Sequence, residues 1–142
     1  MTLDETLEAL RAILESPGDR TQKARRVAET IRRSADYRWV GIYDVDAGRG
    51  EVSNIAWSGP AAPAHPVFPI TQGLTGEAVA GRTTLNVGDV TRNQRYLTTF
   101  GTTRSEIIVP VLDEGSREVV GTIDVESEAV NAFAINLSLI HI

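Results

Sequence analysis

Leu3, Leu7, Leu10 and Leu14 recur at spacings of 4, 3 and 4, which makes one apolar stripe on a helix. Thr2, with Glu5 three residues on, is the capping-box pair that starts this helix, and Pro17-Gly18 stops it. A second helix is predicted from about Thr21 to Ser34, with Ala24, Val27, Ala28 and Ile31 inward and Asp19 or Thr21 as its cap. After Asp36 the period drops to two. Tyr37 to Val45 and Glu51 to Ser58 read as a hairpin turning at 47–50. A Pro/Ala-rich loop, Gly59 to Pro66, leads to a short strand over 67–70, which Pro69 assigns to a sheet edge. Gly73-Leu74-Thr75-Gly76 leads into a short helix at 77–80, closed by Gly81. Residues 83–87 read as extended, and 89–103 as a polar loop with a helical turn near 95–97. Ser105 to Leu112 and Glu118 to Val125 are the two clearest strands, joined around Gly115.

No long helix separates the later strands, so the sheet is expected to be mostly antiparallel. The fold class is α+β, with helices on one face of the sheet and the other face left for loops and a ligand. The 142 residues suit one domain, placed at 1–133, and the 42% hydrophobic content excludes a disordered chain. Residues 134–142, AINLSLIHI, depart from the Arg/Ala/Val/Gly-rich usage before them. They are expected to be a non-native or truncated end to a C-terminal helix. There is no uninterrupted apolar run of membrane-spanning length and no basic signal sequence, so a cytoplasmic protein is expected. The net charge is −5. Arg20, Lys23, Arg25, Arg26, Arg32 and Arg33 cluster on the second helix, and in an acidic chain they read as a solvated face rather than a nucleic-acid or membrane surface.

The absence of cysteine changes the chemistry available. It removes disulfides, thiolate zinc, iron–sulfur clusters and any cysteine nucleophile. What remains is concentrated in the last hairpin. With Gly115 at the turn centre, paired positions sum to 230: Leu112 with Glu118, Val109 with Gly121, Glu106 with Asp124. On that register Ile107, Val109, Val111, Val119, Ile123 and Val125 form the helix-packed face. The other face carries Glu106, Thr122, Asp124 and Glu126 at one end. Like charges directly opposite on a sheet repel, so the three acids call for an ammonium, a neighbouring arginine such as Arg104, or a divalent cation. The bland alternative is a solvated strand end. A metal is not expected, because no closely spaced Asp/Asn ligand loop accompanies the acids, and no cofactor is expected either.

Trp39 and Tyr43 share one face of the first strand and fit either a ligand wall or a core pair. Gly73-x-x-Gly76 lacks the spacing of a phosphate loop and reads as a cap and close-packing device. His65 has no serine elbow with it and reads as a surface residue.

Four segments together resemble a GAF domain: Tyr37-Arg38-Trp39-Val40-Gly41-Ile42-Tyr43, the stretch from Gly73 to Val79, Arg104 to Val111, and Val120 to Ser127. Within that family they are most similar to the free methionine-(R)-sulfoxide reductase branch. The resemblance implies a six-stranded antiparallel sheet with a loop-roofed pocket. It also implies that acids at Glu106, Asp124 and Glu126 hold a ligand's ammonium, beside aromatics at Trp39 and Tyr43. The branch's cysteines fall on His65, Thr75 and Thr99. A threonine hydroxyl has no accessible sulfenic state and cannot take over the thiol's part.

The expected function is therefore a non-catalytic small-molecule-binding or sensory domain for a cationic or zwitterionic ligand. Trp39, Tyr43, Thr75, Thr99, Glu106, Asp124 and Glu126 are its expected ligand-binding residues. The alternatives are a reductase relative working by another route, and a signalling scaffold that dimerises through its flanking helices.

Overall fold

The structure, a computed structural model, describes residues 1–96 and 100–133. Helices α1 (Leu3–Glu15) and α2 (Arg20–Ser34) come first, followed by strands β1 (Trp39–Asp46), β2 (Glu51–Ser58) and β3 (Val67–Pro69). Helix α3 (Gly73–Gly81), strand β4 (Leu85–Val87), a 3₁₀ turn (Val90–Arg92) and strands β5 (Ser105–Leu112) and β6 (Val119–Ser127) complete the order. The strands form one six-stranded sheet in the order β3-β2-β1-β6-β5-β4, with every pair antiparallel. The fold is α+β. Among the described residues no helix is long and apolar enough to cross a membrane.

The caps follow the sequence. The Thr2 side chain accepts the Glu5 amide, and Asp19 with Gln22 makes a reciprocal capping box. On α2 the inward residues are Ala24, Val27, Ala28 and Ile31, at the spacing that sets them on one face. Val27, Ala28 and Ile31 pack with Leu10, Val40, Ile107, Ile123, Val125 and Phe133 into the main core. The leucine stripe of α1 is only partly used. Leu10 is buried and Leu7 half-buried, but Leu3 and Leu14 are exposed. Thr6 and Ile13 complete the inner side instead.

Helix α3 begins at Gly73 rather than at 77, so the glycine motif is its first turn and not a lead-in. Gly73 has φ +70°, and a Cβ on Gly76 would lie 2.6 Å from the Thr71 carbonyl carbon. Both glycines are therefore demanded by backbone geometry and close packing. The 3₁₀ turn lies at Val90–Arg92, followed by a turn closed from the Tyr96 amide to the Asn93 carbonyl.

The register of the last hairpin also differs from the expectation. Its pairs sum to 232: Glu106 faces Glu126, Ile108 faces Asp124 and Val111 faces Gly121. Two features add the shift. Arg117 takes φ +63° and closes a longer turn, with Asp113 accepting from Ser116, and a bulge opposite the Val111–Leu112 step leaves Val120 unpaired. At Glu106, Asp124 and Glu126 the shift is two and not one, so the acids keep their face; Val119, beyond the bulge, stands opposite Leu112 and leaves the helix-packed face it was expected on.

Candidate functional site

The loop-side face of the sheet is where α3 and the two long loops sit. Leu74 and Ala78 of α3 pack on Ile108. A second cluster forms around Trp39, Tyr43 and Val52, with Phe68 and Phe100 against it. Gly41 lies between the two aromatics on β1. Any Cβ there would collide with the Trp39 ring and come within 2.9 Å of the Tyr43 ring. The glycine is what lets both rings close over the strand. It stands opposite Asp124 in the β1–β6 register. Trp39 is fully buried, and its Nε1 donates to the Ala61 carbonyl at 3.0 Å, tying the proline-rich loop down. Phe100 lies 5.6 Å from Trp39, and Tyr43 lies 5.8 Å from Phe68.

Beneath these rings the three carboxylates converge. Glu106, Asp124 and Glu126 are all buried, and each offers an oxygen within 4.8 Å of the others. The Thr103 hydroxyl donates to Glu126 Oε1 at 2.8 Å, and the Tyr96 hydroxyl reaches the same atom at 3.4 Å. Asp124 Oδ1, Glu126 Oε2 and the Thr122 hydroxyl, all buried, make no hydrogen bond among the described residues. None of the ion pairs among the described residues involves the trio. Arg104 is exposed and points its guanidinium at the Thr103 carbonyl, so it is not the counter-charge its position in the sequence suggested.

Removal from water without a positive partner disfavours the charged form of each acid. Burial, then the Asp124 charge, a hydrogen bond with Asp124 and the Glu126 charge raise the Glu106 carboxyl well above the usual range. Burial lifts Asp124 to about 6, against a hydrogen bond with Glu106 that lowers it. Burial and the Asp124 charge lift Glu126 to about 8. Burial and mutual repulsion thus oppose full ionisation of the trio. Burial, with all three acids nearby, also raises the Tyr43 phenol.

A small cavity of about 30 Å³ opens beside the acids. Glu106, Asp124 and Tyr43 line its inner side, and His65, Gln72 and Thr75 are among the residues on the outer side. His65 is exposed, as its loop position implied, but it stands at the mouth of this cavity. Thr75 is buried in its wall. Trp39 backs Tyr43 rather than lining the cavity, and Thr99 lies outside the described residues, as does 134–142. Phe68, Gln72 and Thr103 are participants that periodicity could not single out, since each sits in a loop or at an edge.

The sequence profile of the GAF domain matches residues 19–136. The chain belongs to the GAF family. This GAF domain superposes on the X-ray structure of free methionine-R-sulfoxide reductase from Neisseria meningitidis in complex with its substrate. The TM-score is 0.86 at 27% identity, covering 96% of this chain and 79% of that one. It also resembles the type II free methionine-R-sulfoxide reductase of Thermoplasma acidophilum, with TM-score 0.74, 30% identity and coverage of 83% and 84%. GAF domain-containing protein A of Dictyostelium discoideum is 25% identical over 92% of this chain and 79% of its own length. The reductase-like resemblance and the lack of cysteine thus stand together in one chain. The GAF fold is one that binds small molecules.

Proposed function

We propose that this GAF domain is a non-catalytic receptor for a small cationic or zwitterionic molecule. One observation carries the reading: three buried carboxylates converge with no ion pair from the described part of the chain. Such an arrangement is costly unless a cation completes it. A ligand ammonium would sit among Glu106, Asp124 and Glu126, with Tyr43, backed by Trp39, against its apolar part. A zwitterion's carboxylate would meet the first turn of α3, whose N-cap residue Gln72 makes no side-chain capping bond. Thr75 is in that turn, and Thr99 is proposed to border the same pocket. The Neisseria and Thermoplasma proteins act on a free amino-acid sulfoxide, which is a zwitterion, and this supports the ligand class. With threonines and a histidine at the cysteine positions of the branch, the sulfoxide chemistry has no thiol in this chain.

Calorimetry with free amino acids, methionine sulfoxide and simple primary amines tests this. The expected result is saturable heat from at least one, abolished by Glu106→Gln. No heat from any of them would overturn the reading. A thioredoxin-coupled NADPH assay on free methionine sulfoxide is expected to give no turnover, and turnover lost on Glu106→Gln would restore the reductase alternative. The exposed Leu3 and Leu14 on α1 also favour pairing of two copies through this helix. Light scattering with and without residues 1–18 decides that.

A further inference from the structure

We propose that Glu106, Asp124, Glu126 and Thr122 form a site for a divalent cation of the calcium type. The site uses the same carboxylates as the receptor reading but does not rest on it, since it needs neither the aromatic wall nor α3. The groups that converge here are three carboxylates, with the Thr122 hydroxyl two residues from Asp124 on the same face of β6, while His65 and Gln72 lie on the far side of the adjoining cavity. Oxygen-only sets select hard cations over zinc or copper. The acids alone would not make a site. The second observation is that Asp124 Oδ1, Glu126 Oε2 and Thr122 Oγ1 are buried and make no hydrogen bond among the described residues. Unsatisfied buried oxygens are rare and expensive, and these three stand at alternate positions of one strand, facing the same side.

Size favours calcium over magnesium. The three carboxylate oxygens lie within 4.8 Å of one another. Calcium bonds oxygen at about 2.3–2.6 Å and so bridges oxygens up to about 5 Å apart, whereas magnesium at about 2.0–2.1 Å bridges only about 4 Å and demands a regular octahedron. The adjoining cavity, about 30 Å³, has room for an ion's water ligands. The ligands come from two strands, which is why no calcium-loop spacing appears in the sequence.

The test uses the full chain, freed of metal with chelator and titrated with calcium chloride by calorimetry. Terbium serves as a second probe, because its emission is sensitised by a nearby tyrosine or tryptophan and Tyr43 borders the cavity. The expected result is one saturable calcium site with a dissociation constant of about 10⁻⁵–10⁻³ M, spanning the sensor-type to weak extracellular range. Terbium emission should be reversed by calcium. Asp124→Asn is expected to abolish both signals, and Thr122→Val to weaken calcium by about tenfold, each with an unchanged circular dichroism spectrum. Absence of calcium heat at millimolar concentration would overturn the proposal. So would binding that persists in Asp124→Asn and Glu106→Gln, which would place the ion elsewhere on the acidic surface. Amine binding without calcium binding defeats this inference alone. Calcium binding without amine binding defeats the receptor reading alone.

Discussion

Strands β5 and β6 present two opposite chemistries within a few ångströms. On the helix side Ile107, Ile123 and Val125 are buried against Leu10, Val27, Ala28 and Ile31. On the loop side their sequence neighbours Glu106, Asp124 and Glu126 are buried just as deeply, with no ion pair among the described residues. Burial is therefore no guide to the role of a residue on these strands. One face releases free energy by leaving water, and the other loses it because three carboxylates are stripped of theirs. A strand's period of two places both along the same backbone.

Substitutions at adjacent positions break the comparison most sharply. Ile123→Ala is expected to cost about 2–5 kcal/mol by opening a cavity in the main core, read from denaturant melts. A cost near zero would show that this face does not hold the fold. Gly41→Ala tests the roof of the acid face, where the new Cβ collides with the Trp39 ring. A loss of about 1–3 kcal/mol is expected, together with altered near-ultraviolet dichroism from the displaced rings.

Changing pH sharpens the same contrast without a mutation. The three acids have folded-state values raised above the usual carboxylate range, so the native state binds more protons than the unfolded one. The stability they contribute is fully present below about pH 4 and is lost as pH rises through about 6 for Asp124 and about 8 for Glu126. In chelator and without ligand, the thermal midpoint is expected to fall from pH 5 to pH 8.5. A flat or rising profile would show that the acids are not destabilised by ionisation. Asp124→Asn should lessen this dependence and leave stability at pH 7.5 unchanged or raised, the reverse of Ile123→Ala one residue away. The smallest effect belongs to the surface. Arg20 grips Asp44 through both guanidinium nitrogens, one at 2.7 Å, but Arg20 is largely exposed. Arg20→Ala is expected to cost no more than about 1 kcal/mol and to shrink further in high salt.

Much of the fold was legible because its signals are local. Asp19 or Thr21 marked a helix start, of which the structure uses Asp19; the spacing of Ala24, Val27, Ala28 and Ile31 named the buried side of α2, and alternation marked the strands. The misreadings were also local in cause. A longer turn with Arg117 at positive φ, plus a bulge at Val120, moved the last hairpin by two positions. The first turn of α3 was hidden because its glycines read as loop. His65 at the cavity mouth, and Thr103 on Glu126, carry no periodic signal, since loops hold them there.

The sequence by itself determined the alternation that puts Glu106, Asp124 and Glu126 on one side of the last two strands, and it removed sulfur from the chemistry. An even shift of register cannot undo the first, and no folding can undo the second. Only the tertiary structure decided that the acids are buried rather than solvated, that Arg104 turns away from them, and that Glu106 faces Glu126. Those outcomes depend on where α3, the aromatic rings and the loop before β5 close over the sheet. Such contacts join residues distant along the chain, and no local pattern encodes them.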